Sequence, residues 1–164
     1  MKTSAEHLAQ LMQEHLEGFL RFKPSLPRVF LAYVQENQEA ANRLCENLED
    51  AGFAPWLDQR SLLPGQKWPP TIEEAIETSE FFIACFSTFS VGKKGFFQTE
   101  IRDALACAKR FPLEETFLIP ARLDSCRVPW TIRREMQYID LFPDWELGVK
   151  RILAVMHDQL RKRR

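Results

Sequence analysis

Short runs that are apolar at every position, separated by stretches whose apolar residues recur every three or four positions, constrain this chain more than any other feature. Residues 29–34 (Val-Phe-Leu-Ala-Tyr-Val) and 81–86 (Phe-Phe-Ile-Ala-Cys-Phe) leave no polar face. A strand built from either must be covered on both sides. Residues 53–57 and 116–121 read as further strands and 137–141 as a fifth. Between them, Ala40, Ala41, Leu44, Cys45, Leu48 and Ala51 form one helical stripe that Asn37 is placed to cap and Gly52 to end. Residues 71–78 read as a short helix, residues 97–110 turn Ile101, Ala104, Leu105 and Ala108 inward, and residues 145–160 offer Leu147, Ile152, Val155 and Met156. Strands alternating with helices predict an α/β fold: a flavodoxin-like, doubly wound, parallel five-stranded sheet of order 2-1-3-4-5, with the first strand buried at its centre.

An extra N-terminal element precedes this pattern. Leu8, Leu11, Met12, Leu16, Phe19 and Leu20 recur at helical spacing. Lys23-Pro24-Ser25-Leu26-Pro27 then stops the helix, because proline disfavours helix at its own position and at the one before. The expected organisation is therefore an amphipathic helix and linker over residues 1–27, followed by one domain over 28–164. The helix has two readings: it packs on the core, or it meets a protein partner or a second copy. At 164 residues the chain suffices for one domain with its own core.

Composition removes several functions. Twenty-two basic side chains against 23 acidic ones argue against a nucleic-acid partner, and the closing Arg161-Lys162-Arg163-Arg164 reads as a solvated helix end. No apolar run approaches the roughly 20 residues that span a bilayer, and the N-terminus lacks a secretory pattern, so a cytoplasmic protein without membrane contact is expected. Cys45, Cys85, Cys107 and Cys126 are too far apart for a CxxC motif and read as reduced, buried thiols, with no metal site. His7, His15 and His157 lie near the chain ends, leaving 16–156 without histidine. Chemistry in this domain is expected to run on carboxylates. The six glycines form neither GxGxxG nor GxxxxGK, and the first and third strands lack the aspartates of a phosphoacceptor domain, ending in Val34-Gln35-Glu36 and Cys85-Phe86-Ser87.

Three segments carry a family resemblance. Val29-Phe30-Leu31-Ala32-Tyr33 is similar to the opening box of Toll/interleukin-1 receptor (TIR) domains, usually Phe-Ile-Ser-Tyr, with Ala32 in place of Ser. Trp56-Leu57-Asp58, Leu62-Leu63-Pro64-Gly65 and Trp68 resemble the second box and its loop. Ser87 and Gly95-Phe96-Phe97-Gln98-Thr99-Glu100-Ile101 resemble the segment in which catalytic members place an aromatic residue four positions before a glutamate, with Phe96 in place of the more frequent Trp. Phe142-Pro143-Asp144-Trp145 corresponds to the weak third box. The resemblance spans about residues 28–160.

This resemblance implies a bacterial-type protein that cleaves the nicotinamide glycosidic bond of NAD, as a glycohydrolase or cyclase in antiviral defence or cell-death signalling; a non-catalytic adaptor acting by TIR assembly is the alternative. NAD is then a substrate, and no cofactor is expected. Glu100 is the expected catalytic residue, its carboxylate stabilising the oxocarbenium-like centre or attacking it. A place in the first turn of its helix would favour the anion. Tyr33, Asp58, Leu62, Gly65, Trp68, Ser87 and Phe96 are the expected substrate-binding set. For Asp58 a ribose contact and a loop-initiating turn are equal readings, and Tyr33 and Trp68 suit either cleft or packing. Pro64-Gly65 is a turn signal; that its loop enters a neighbouring copy and completes the site follows from the resemblance alone.

Overall fold

The computed structural model describes residues 26–57, 70–92, 96–112 and 114–164. The N-terminal helix expected over residues 5–22, and Asp58, Leu62, Gly65 and Trp68, lie outside them. In chain order the elements are β1 (Arg28–Ala32), α1 (Gln38–Asp50), β2 (Ala54–Leu57), α2 (Pro70–Glu77), β3 (Phe81–Phe86), α3 (Phe96–Ala108), β4 (Leu118–Arg122), α4 (Trp130–Arg133), β5 (Ile139–Asp140) and α5 (Trp145–Lys162). All strand pairs are parallel, in the order β2-β1-β3-β4-β5. The doubly wound fold is as expected. The central strand, however, is β3, with β1 one place off centre between β2 and β3. β3 pairs on both sides and is buried at all six positions, so its run had the stronger claim to the middle.

The unbroken apolar runs divide by strand alternation into two cores. Val29, Leu31, Tyr33, Phe81, Ile83 and Cys85 face α1 and α5, against Ala41, Leu44, Cys45, Leu48, Val149, Ile152 and Met156. Phe30, Ala32, Val34, Phe82, Ala84 and Phe86 face the other way, against Ala75 and Ile76 of α2 and Ile101, Ala104 and Cys107 of α3. Phe30 and Phe82, paired across β1 and β3, stack with ring centroids 5.1 Å apart. Fully burying a side chain of this size contributes about 1.5–3 kcal/mol, so these faces, more than helix propensity, hold the layers together.

Helix ends explain the turns. Gly52 has φ +89°, its N–H donates to Glu49 O at 3.0 Å, and Phe53 N–H donates to Leu48 O at 3.0 Å. This is a Schellman ending that only glycine enters freely. At α5, the Asp144 carboxylate accepts from Leu147 N–H at 3.1 Å. A Cβ on Gly148 would collide with the Asp140 carbonyl and Leu141, so this glycine lets α5 lie directly on β5.

Several expectations are corrected. Leu147 is 45% exposed, and Val149 takes the inward place. Asn37 precedes α1 without capping it through its side chain. Residues 130–133 form a single helical turn, too short to leave a periodic signal. Arg163 is no solvated helix end: its side chain is 17% exposed and its guanidinium lies 5.0 Å from the Phe81 ring and 5.2 Å from the Phe111 ring.

Candidate functional site

The carboxyl ends of parallel strands are where such sheets bind ligands, and here small polar side chains join the loops to one another. After β1 the chain turns through Gln35–Asn37, closed by Asn37 N–H donating to Val34 O at 2.8 Å. After β3, Ser87 is fully buried and its hydroxyl donates to Asn37 Oδ1 at 2.6 Å. The side chain expected to cap α1 thus ties the first loop to the third. Ser90, also fully buried, closes the turn: its Oγ accepts from Ser87 N–H at 2.8 Å and donates to Ser87 O at 3.1 Å.

A second clasp joins the loops after β3 and β4. Thr88 N–H donates to both Asp124 oxygens at 3.1 Å, Thr88 Oγ1 donates to Oδ2 at 3.0 Å, and Cys126 N–H donates to Oδ1 at 3.0 Å. Burial pushes the Asp124 carboxyl up, but these hydrogen bonds outweigh it and hold it below the usual carboxylate range. One strand further out, Arg122 meets Asp140 through a fork of 2.6 and 2.9 Å, with Tyr138 and Phe142 against its guanidinium at 4.7 and 5.3 Å. That hydrogen bonding holds the Asp140 carboxyl low and the guanidinium high.

The expected site residues distribute unevenly over this end. Ser87 is central, but its hydroxyl and N–H are engaged by Asn37 and Ser90. Tyr33, 6% exposed, belongs to the core beneath α1 and α5. Phe96 opens α3, and Glu100 is that helix's fifth residue, so no acidic residue occupies its first turn. The helix begins one residue earlier than expected, and this removes most of the dipole argument, because that field fades within a turn. Phe96 and Glu100, four positions apart, still occupy one face of α3.

Beside the first loop lies an open cavity of about 290 Å³ lined by Glu36, Asn37, Glu39, Ala40, Arg43 and Trp145. Arg43 lies 4.6 Å from the Trp145 ring, whose indole N–H donates to Asn47 Oδ1 at 2.8 Å. The tryptophan of the third box therefore braces α1 against α5 from the cavity wall.

Thiol chemistry has little footing. Cys45, Cys85, Cys107 and Cys126 are buried thiols, none of them in a disulfide. Burial pushes the Cys85 thiol up to about 12, and burial with the neighbouring Asp124 charge pushes Cys126 up to about 11, so neither supplies a thiolate near neutral pH. Among the described residues no group of three His, Cys, Asp or Glu could hold a metal ion, and no helix is long and apolar enough to cross a membrane. Sequence reasoning missed Asn37 as a loop-to-loop acceptor, and Thr88 with Asp124. Asp124-Ser125-Cys126, right after β4, carries the usual signature of an aspartate turning back on the N–H two residues on.

Comparison with known proteins agrees with this architecture. No curated protein matches the chain. Among solved structures it is similar to the TIR domain of the Toll-related receptor TRR-2 from Hydra magnipapillata, at 24% identity over 77% of this chain and 97% of that one, with a TM-score of 0.60. A TIR-STING receptor from C. gigas, solved with 2',3'-cGAMP, superposes at a TM-score of 0.66 and 20% identity, over 78% of this chain but 38% of the receptor. The Clostridium botulinum CMP N-glycosidase BcmB superposes at 0.53 and 20% identity, covering 76% of this chain and 97% of the enzyme. The family model for the TIR domain matches residues 29–153, and the chain belongs to the TIR domain family.

Proposed function

We propose that this TIR domain cleaves the N-glycosidic bond between nicotinamide and ribose in NAD, with Glu100 as the catalytic carboxylate. The observation that carries this reading is the position of α3. α3 follows β3 in the chain, and Phe96 and Glu100 stand four positions apart on it, the spacing that sets two residues on one helix face; in such sheets ligands bind outside the carboxyl ends of the strands. Loss of nicotinamide leaves an oxocarbenium-like centre, which an adjacent anion stabilises or traps. Nicotinamide departs without protonation, so a domain with no histidine between residues 16 and 156 remains suited to the reaction. That the same architecture serves an N-glycosidase in BcmB supports the reading.

Asp58, Leu62, Gly65, Trp68 and Phe96 are proposed to surround the substrate, with Tyr33 supporting the end of β1 from the core beneath. Ser87 acts by fixing the loops after β1 and β3. The loop holding Leu62, Gly65 and Trp68 is proposed to complete the site of a neighbouring copy. The test incubates concentrated protein with NAD and separates the products by chromatography across a dilution series. Nicotinamide with ADP-ribose or a cyclic isomer is expected, at a specific activity that rises with protein concentration.

A second reading, a non-catalytic adaptor acting by TIR assembly, draws on Phe89 and Trp130. They are 55% and 64% exposed on the segments after β3 and β4, and so offer apolar surface for a partner. Absence of nicotinamide release at every concentration selects the adaptor.

A further inference from the structure

The amino end of the sheet, opposite the candidate site, carries an open groove of about 310 Å³ whose lining includes Pro27, Ala51, Phe53, His157, Leu160 and Arg161. It runs between the last turn of α1 and the last turns of α5, with the Phe53 ring 5.3 Å from that of His157. We propose that this groove is the docking site of the chain's own residues 5–22.

Three observations select that occupant. The first is the tether. Pro27 lines the groove, and five residue steps separate it from Phe22, at most about 18 Å even when fully extended. A short tether of this kind holds its segment at a millimolar effective concentration, which favours it over a free partner or second copy. The second is shape chemistry. The stripe of Leu8, Leu11, Met12, Leu16, Phe19 and Leu20 needs an apolar partner, and half-buried Pro27, Ala51 and Leu160, lying over the buried Phe53, provide one at the place where the chain enters the domain.

The third is charge. Residues 5–22 contain Glu6, Glu14 and Glu17 against one basic residue, Arg21, whereas Arg161, which also pairs with Asp158 at 3.4 Å, and Arg164 stand exposed at the rim of the groove. At helical spacing the three glutamates fall opposite the apolar stripe, so this attraction would orient the arm across the rim, within a screening length of about 10 Å at 0.1 M salt. Burial of the apolar stripe supplies the affinity. A docked arm would cover the amino end of the sheet between the ends of α1 and α5 and leave the carboxyl end open.

The test uses the full chain with a benzophenone amino acid replacing Phe19. Irradiation is expected to give a crosslink of monomer mass that maps to residues 51–53 or 157–164. Crosslinks between chains, crosslinks to another face, or none at all would overturn the proposal. An independent readout is tryptic cleavage after Arg21. It should become about tenfold faster in Leu16→Asp/Phe19→Asp and in Arg161→Glu/Arg164→Glu, with thermal unfolding of the domain preserved. Unchanged cleavage in both variants would also overturn it. Neither readout depends on NAD turnover, so failure here is distinct from failure of the catalytic reading.

Discussion

The two ends of the sheet are fastened by different means. At the amino end, long side chains from α5 and the residue that ends it reach into the neighbouring chain: Arg163 donates to Glu80 O at 3.2 Å, to Thr116 O at 3.0 Å and to the Glu115 carboxylate at 3.1 Å, while buried Gln159 accepts from Thr116 N–H at 2.9 Å. At the carboxyl end, short side chains tie loop to loop: Ser87 to Asn37 and Thr88 to Asp124. A helix anchored in the core buttresses the first end, whereas at the second the loops position one another. Stability and site geometry are therefore separable at the amino end, where the Arg163 clasp lies away from the residues proposed for chemistry.

Breaking the amino-end clasp should have the largest effect on stability. Arg163→Ala leaves two carbonyls and a carboxylate without their donor and removes the cation between two rings, and should cost about 3 kcal/mol in urea unfolding. Nicotinamide release per folded molecule should be unchanged. Arg163→Lys should recover less than half of that stability, because an ammonium cannot present the planar fork. Ser87→Ala should cost less, about 1–2 kcal/mol, because it removes one buried hydroxyl and its partner Asn37 lies near the surface. Yet it should lower turnover several-fold. Equal losses of stability and of activity at the two ends would erase the contrast between them.

Gly52→Ala should cost about 1 kcal/mol, since a Cβ meets open space there but the backbone stands at φ +89°. The smallest change is expected from pH. Asp124 and Asp140 both have lowered folded-state pKa values, so their stabilisation is complete above the unfolded value of about 4 and fades as pH falls through the folded values. Both carboxylates are only partly buried and therefore screened, so Asp124→Asn and Asp140→Asn should each flatten the acid limb of the stability curve modestly. An acid limb unchanged in both variants would remove either clasp from the stability of this end.

Much of the fold was legible because burial on both faces writes itself as unbroken apolar runs. Phe81 to Phe86 was delimited to the residue, and the stripe of α1 named all four of its buried side chains, Ala41, Leu44, Cys45 and Leu48. Legibility failed where single contacts decide. Nothing periodic distinguishes an Asn37 that caps a helix from one that accepts a hydroxyl from Ser87, fifty residues away. Arg163 within a basic tetrad reads as solvated until the two phenylalanines flanking it are known. The proposed site divides in the same way: the order of β3, Ser87 and α3 along the chain was legible, while the dipole assigned to Glu100 depended on a helix boundary one residue off.

The central claim is that a carboxylate on α3 breaks the nicotinamide bond. Its most direct measurement is nicotinamide release from NAD by wild type and Glu100→Gln, side by side at high protein concentration, with folding checked by circular dichroism. The account predicts release by wild type and a loss of at least about a hundredfold in the variant, the size expected when a charge-stabilising group is removed. Equal release by the two proteins would contradict it.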